Sequence, residues 1–267
     1  MRLTAAFRLI TKKIRKGDYK IIYMGRKFKI ERDYYDEKDY LYRKMHVEFE
    51  PGLTVLIGCN GCGKTTLMRQ VRLQVEKELK NPCVINYDNY IHGGASSISE
   101  SILCGDMTFV ADSVMSSEGE KIALNMQKLS MKIGSLMKKY PDEKEFWIFL
   151  DGVDSGFSVD AIEDLKRGLF DTIFDCYPDK DIYIIASANE YEMARGEKCF
   201  DTVNCRYVNI KSYERYRSLV LKSREYKDER IKKAVKRAES QKEKAAERDS
   251  DNVKESSFQA REWKKER

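Results

Sequence analysis

The chain has 267 residues, enough for one large domain or two small ones with a sizeable core. Its longest apolar runs, near Phe146–Leu150 and Ile182–Ala186, are strand-length, so membrane insertion is not expected. Seven cysteines without a secretory signal point to a reducing, cytoplasmic setting rather than a disulfide framework, and two histidines, His46 and His92, make a zinc site improbable.

From the N-terminus, Leu3, Phe7, Ile10 and Ile14 fall at helical spacing among six basic residues, which predicts a basic amphipathic helix over residues 1–17. Such a helix fits packing on the domain, a membrane surface or a transit peptide, although serine, frequent in transit peptides, is absent from it. Residues 19–50 alternate in places (Tyr19, Ile21, Tyr23; Phe28, Ile30; His46, Val47, Phe49), as antiparallel strands do. A tyrosine among them is a candidate for stacking on a base.

The chain is organised around Gly58-Cys59-Asn60-Gly61-Cys62-Gly63-Lys64-Thr65-Thr66, a full match to the G-x-x-x-x-G-K-[ST] phosphate-binding loop. The apolar run Leu53–Ile57 before it reads as a buried strand. Leu67, Val71, Val75 and Leu79 after it recur every four residues, so a helix begins at the loop. Glycines let backbone N–H groups converge on an anion, and the helix N-terminus adds unpaired donors. Lys64 is expected to reach the β- and γ-phosphates and Thr65 to ligate Mg²⁺, so the chain binds a nucleoside triphosphate. Cys59 and Cys62 form a C-x-x-C in the loop's variable positions; a redox switch and side chains filling tolerant positions are both open readings.

Cys83–Tyr87 predicts a second strand, and the polar loop from Asp88 and Asn89 to Gly94 offers a metal or water ligand, or is simply a surface loop. Ser117 and Glu120 form a capping box before a helix carrying Ile122, Met126, Leu129, Ile133 and Met137 on one face. Phe146–Leu150 then leads into Asp151, where a Mg²⁺-binding carboxylate is expected downstream of a phosphate loop. Ser155-Gly156, a helix bearing Ile162, Leu165, Leu169 and Ile173, and a strand at Ile182–Ala186 ending near Asn189 complete the body. Residues 211–267 lack Gly and Pro and hold 19 of the 50 Lys and Arg but 12 of the 44 Asp and Glu, a net of +7 beside −1 for residues 1–210. They read as a charged, helical or partly disordered tail that contacts nucleic-acid phosphates, binds a partner protein or is simply solvated.

In this order the pieces resemble the ATP-binding-cassette ATPases. Gly58–Thr66, with Asn60 and Gly61, is similar to that family's G-x-N-G-x-G-K-[ST]-T loop; Ser116–Glu120 is similar to its signature, with Ser117 and Gly119 matching. Phe146–Asp151 resembles the second nucleotide motif, Asp154-Ser155-Gly156 the D-loop, and Asn189 stands where the family usually has a switch histidine. The resemblance implies an α/β P-loop NTPase of ABC-ATPase type: antiparallel N-terminal strands, a parallel core sheet flanked by helices, a reduced helical subdomain and a helical tail. It implies ATP and Mg²⁺, with Gly58, Asn60, Gly61, Gly63, Lys64, Thr65 and Thr66 on the phosphates. Thr65, Asp151 and Asp88 serve the metal, and Ser117 and Gly119 close an ATP-dependent homodimer. Gly152 replaces the usual catalytic Glu, so hydrolysis is expected to be slow, with Lys64, Asp151, Asp154 and Asn189 as catalytic candidates; Asp154 either orients water or merely caps the following turn. Only 52 residues separate Lys64 from Ser117, too few for long coiled-coil arms. The loop preceded by His46–Thr54 resembles compact RecF/SMC-type heads more than transporter cassettes, which implies a role on DNA or RNA or in genome defence. The alternatives are a transporter's nucleotide-binding subunit coupled to a second protein subunit in the membrane, and a P-loop kinase with Asp88 as base. The expected division is an ATP-binding domain over 1–210 and a tail over 211–267.

Overall fold

The computed structural model describes the backbone of residues 10–13, 19–22, 25–31, 40–89 and 118–263, and the side chains of 25–31, 40–89 and 124–242. At its centre is a six-stranded sheet built from β5 (Gly52–Ile57), β6 (Val84–Asp88), β7 (Glu145–Asp151), β8 (Asp181–Ser187), β9 (Lys198–Asp201) and β10 (Arg206–Val208). The order is β10-β9-β5-β8-β7-β6; β10 runs antiparallel to β9 at one edge, and the other pairings are parallel. Strand β8 therefore lies between the strand that feeds the phosphate loop and the strand that ends at Asp151.

Near-continuous apolar runs in β5, β7 and β8 are what a sheet covered on both faces requires. Alternate residues divide between two cores. Leu53, Val55, Ile148, Leu150, Ile182 and Ile184 join Leu129, Ile133 and Met137 of α2 (Glu118–Lys139). Leu56, Trp147, Phe149, Tyr183 and Ile185 join Leu67, Met68, Val71 and Val75 of α1 (Lys64–Glu78). The i, i+4 spacing read in α1 is thus the stripe that covers the sheet. Trp147 stacks on Tyr183 with ring centroids 4.1 Å apart, in a layer closed by Phe28 and Phe49 from a small antiparallel pair, β3 (Arg26–Lys29) and β4 (His46–Phe49). The expected helix with Ile162, Leu165, Leu169 and Ile173 is present as α3 (Val159–Leu165), a π-helical stretch (Lys166–Asp171) and α4 (Thr172–Cys176), and all four side chains are buried. A short helix α5 (Tyr191–Ala194) follows β8.

One expectation is corrected. Within 1–17, Ile10–Lys13 is not helical: it forms β1 and pairs antiparallel with β2 (Tyr19–Ile22), Ile10 opposite Ile22 and Thr11 opposite Ile21. β-Branched Ile and Thr favour extended backbone, and cross-strand pairing outweighs the helical spacing of four apolar residues. Residues 1–9 and 14–17 lie outside the described residues.

The charged tail is helical, one of the two forms expected of it. It forms one helix, α6 (Tyr213–Trp263), of 51 residues, whose N-terminal part belongs to the body. Tyr216, Ser223 and Arg230, seven residues apart and hence on one face, are buried; Ile231 and Val235 just beyond are about half exposed. The charge count drew the boundary at 211 because it registers composition, whereas the buried stripe of α6 includes a serine and an arginine.

Candidate nucleotide-binding site

The loop Gly58–Gly63 leaves β5 and enters α1, and its glycines carry the turn. Gly58 has φ +154°, and a Cβ there would lie 2.4 Å from Cys62 Sγ; Gly63 has φ +103° and a Cβ would meet the Tyr42 hydroxyl at 2.9 Å. Side chains at these positions would close the loop on itself. Gly63 also stands at the N-cap of α1, where no side chain caps the helix, so the first backbone donors face the cleft. Tyr42 donates its hydroxyl to the Gly63 carbonyl at 2.7 Å and is fully buried; it anchors the start of α1 and is not a stacking surface for a base.

A cleft of about 280 Å³ opens over the loop, lined by Asn60, Gly61, Gly63, Lys64, Thr65 and Thr66 on one side. Asp151, Gly152, Ser187 and Asn189 line it on the other. Lys64 is largely buried. Its ammonium donates to the Gly58 carbonyl at 2.7 Å, with the Cys59 carbonyl at 3.5 Å and Asn189 Oδ1 at 3.4 Å. The sequence-identified Lys64 and Asn189 are therefore in contact, although they stand 125 positions apart in the chain.

Asp151 ends β7 beside Asp88, its register partner at the end of β6. Ser187, at the end of β8, donates its hydroxyl to Asp151 Oδ1 and accepts the Gly152 N–H at 2.8 Å. One buried hydroxyl thus fixes both the carboxylate and the turn that follows it; Gly152 itself takes φ +62°. Thr65, Asp151 and Asp88 offer hard oxygen donors, and no cluster of three or more His, Cys, Asp or Glu is found among the described residues. That set fits Mg²⁺, which takes one or two carboxylates and leaves the remaining positions to phosphate and water.

Asp154 does not line the cleft. It is fully buried, and its Oδ2 accepts the N–H groups of Asn189 and Glu190, each at 2.8 Å. Burial raises its pKa above the usual carboxylate range, opposed by those two hydrogen bonds. Tyr216 of α6 donates its hydroxyl to the Asn189 carbonyl at 2.8 Å, so the backbone of Asn189 is gripped from both sides. Asn89 accepts from the Tyr87 hydroxyl at 3.1 Å and donates to the Ser155 carbonyl at 3.4 Å, tying the end of β6 to the turn after Asp151. Ser117 lies outside the described residues, as do residues 90–117 where the reduced helical subdomain is expected; Gly119 is in the first turn of α2.

The root of α6 also reaches the loop. Ser223 Oγ accepts the Cys59 N–H at 2.7 Å, and the Lys227 ammonium donates to the Asn60 carbonyl at 3.0 Å. Ser187, Tyr216, Ser223 and Lys227 were not identified as site residues from the sequence. Only Ser187 carried a usable signal, as a hydroxyl at the end of a buried strand two residues before Asn189.

The family model of the AAA ATPase domain matches residues 41–266, which contain β4 to β10 and all of α6. The chain belongs to the AAA ATPase domain family. It is an ATP-binding ATPase domain, and the family match takes in α6 together with the sheet. No curated protein matches this ATPase. Solved structures similar to it include the ADP conformation of MJ1267, an ATP-binding cassette of an ABC transporter, at 11% identity and TM-score 0.42, covering 73% of this chain and 93% of that chain. Another is a nucleotide-free ATP-binding cassette from an ABC transporter, at 11% identity and TM-score 0.41, covering 73% and 95%. No helix among the described residues is long and apolar enough to cross a membrane.

Proposed function

We propose that this ATPase is a slow, ATP-dependent switch of the RecF/SMC-like ABC type, in which Mg-ATP binding is read out through α6. The observation that carries the reading is that the phosphate loop, Asp151 and Asn189 meet in one cleft, while α6 holds both the loop (at Cys59 and Asn60) and the segment bearing Asn189. On ATP binding, Lys64 exchanges the Gly58 carbonyl for the β- and γ-phosphates, a stronger charge-assisted partner. The backbone donors of Gly61–Thr66 surround the phosphates, and Asn189, released by Lys64, turns its amide toward the γ-phosphate and the attacking water. Bound Mg²⁺ would neutralise charge on the β- and γ-oxygens. Asp151 and Thr65 would hold it, with Asp88 assisting, and Ser187 keeps the Asp151 carboxylate oriented.

Slow turnover follows from the water's surroundings. Position 152 carries no carboxylate, and Asn189 is neutral, so neither removes a proton as the water attacks. Asp154 acts as a positioning residue, holding the Asn189 backbone. Two chains pair around ATP, with Ser117 and Gly119 of one closing on the γ-phosphate held by the other. Lys232, Lys233 and Lys236, exposed beyond the docked part of α6, offer contacts to DNA or RNA phosphates. The test is ATP turnover by the full chain with and without DNA or RNA across a salt series. Stimulation that fades with rising salt supports the reading; turnover indifferent to both nucleic acids at low salt removes that role.

A further inference from the structure

The two cysteines of the phosphate loop are unexplained by nucleotide binding, since both stand at positions where the loop uses only its backbone. Their placement is specific. The Cys62 N–H donates to the Cys59 carbonyl at 3.2 Å, closing a β-turn over Cys59–Cys62 with Gly61 at φ +76°. A turn of this kind holds its end residues' Cα atoms less than about 7 Å apart, which overlaps the roughly 4.4–6.8 Å span of disulfides. Both thiols are free, and both pack in one small cluster with Val203, bordered by Val220 and Tyr226. Cys59 is also among the residues that line the nucleotide cleft, the side from which a small reagent would approach it.

We propose that Cys59 and Cys62 are a dithiol–disulfide pair, oxidised by a low-molecular-weight disulfide, and that closing the bond turns off nucleotide binding. This rests on the assignment of the loop to ATP. The electrostatics support a division of labour. The hydrogen bond with Cys62 lowers the Cys59 pKa, aided by Ser223, Lys227 and Lys64 against burial. The same hydrogen bond, together with burial, raises that of Cys62. Cys59 is therefore the attacking thiolate and Cys62 the resolving thiol. Cys59 attacks one sulfur of the small disulfide, breaking its S–S bond, forming a mixed disulfide and expelling one thiolate. Cys62 then gives up its proton to solvent, attacks the Cys59 sulfur and expels the second thiolate. Both expelled thiolates take up protons, so two cysteine thiols are oxidised and one small disulfide is reduced to two thiols.

Closure brings two sulfurs from non-bonded contact to about 2.05 Å. The turn between them carries the Asn60 and Gly61 backbone, and Cys62 Sγ already crowds Gly58. Tightening it moves the phosphate donors and strains the Cys59–Ser223 hydrogen bond. Because oxidation weakens ATP binding, bound ATP must equally oppose oxidation.

The full chain is equilibrated in buffers of graded oxidised to reduced glutathione, alkylated and digested for mass measurement, with Mg-ATP calorimetry on matched samples. Expected are an intramolecular Cys59–Cys62 disulfide, at least about a 10-fold loss of ATP affinity reversed by dithiothreitol, and a midpoint moved toward more oxidising buffer by saturating ATP. Cys59→Ser is expected to bind ATP with an affinity that ignores the glutathione ratio, whereas Cys62→Ser, which keeps the attacking thiol, is expected to stop at a Cys59–glutathione mixed disulfide visible in the mass. Two alkylated thiols at the most oxidising ratio, in a protein that binds ATP, overturn the pair. A disulfide that leaves ATP affinity unchanged overturns the switch. Failure of the reduced protein to bind ATP overturns the nucleotide assignment, and the switch with it, whatever the cysteines do.

Discussion

Ser223 accepts the backbone N–H of Cys59 at 2.7 Å across 164 residues of chain, so a helix near the C-terminus completes the wall of the phosphate loop. Its hydroxyl passes the bond on to the Val220 carbonyl at 2.7 Å, which fixes the rotor and leaves the oxygen aimed at Cys59. Ser223→Ala leaves a buried N–H without an acceptor, a cost of about 1–3 kcal/mol. We expect a lower melting temperature and about a 10-fold weaker affinity for Mg-ATP, read by thermal unfolding and calorimetry. Unchanged affinity in the variant would separate α6 from the loop.

Ser187 is expected to act through Asp151. Ser187→Ala removes the donor to the carboxylate and the acceptor for Gly152 N–H together. Loss of an outer-shell partner typically costs about 10–100-fold in metal affinity. The expected signature is a higher Mg²⁺ requirement for ATP turnover, with affinity for metal-free ATP little changed, measured by Mg²⁺ titration. An unaltered Mg²⁺ dependence would reduce Ser187 to a packing residue.

Asp154 gives a pH signature. Its folded pKa is raised above its ordinary value of 3.8, chiefly by burial. A raised value means that the folded state binds the proton more tightly than the unfolded chain. The associated stability is complete below the ordinary carboxylate pKa and is lost as pH rises through the folded value. Denaturant unfolding of wild type and Asp154→Asn, compared from pH 3 upward, should show wild type losing ground to the variant across that window. Parallel stability curves would contradict a raised Asp154. Asp154→Ala, which abandons both the Asn189 and Glu190 N–H groups, is expected to be the less stable variant at every pH.

The phosphate loop, the strand before it, α1 and the Asp151 strand were legible because each is local. Glycines that must turn, a β-branched run that must be covered on both faces and a four-residue repeat all lie within one short window. The contact between Lys64 and Asn189 was legible only as two residues in motif order, since the position of β8 between β5 and β7 is what brings them together. The docking of α6 was not legible. Its buried face is marked by Tyr216, Ser223 and Arg230, of which the serine and the arginine are types that composition assigns to solvent, and their partners lie in the body: Asn189, Cys59 and Tyr40. The β1–β2 pairing was hidden by an apolar spacing that suits a helix equally well.

The docked part of α6 also changes how its distal part must be tested. Truncation at 211 would remove the contacts of Tyr216, Ser223 and Lys227 with Asn189, Cys59 and Asn60, whereas a chain ending at Ile231 keeps them and lacks Lys232, Lys233 and Lys236. We expect the chain ending at 231 to bind ATP like the full protein while losing DNA and RNA affinity and having a shallower salt slope. The slope scales as about −0.9 per neutralised phosphate on duplex DNA, and interleaved acids keep the number small. Equal nucleic-acid affinity and slope in both chains would make the distal helix a solvated or protein-docking element.

The central claim, that Gly58–Thr66 with Asp151 forms a Mg-ATP site, is tested most directly by calorimetric titration of Mg-ATP into the reduced full chain and into Lys64→Ala. Lys64 exchanges a backbone carbonyl for phosphate oxygens, and a hydrogen bond to a charged partner is worth about 1.5–3 kcal/mol. The account predicts binding to wild type and an affinity about 10–100-fold weaker in a folded Lys64→Ala chain. Equal affinity in the two, with the variant's unfolding transition intact, would contradict it.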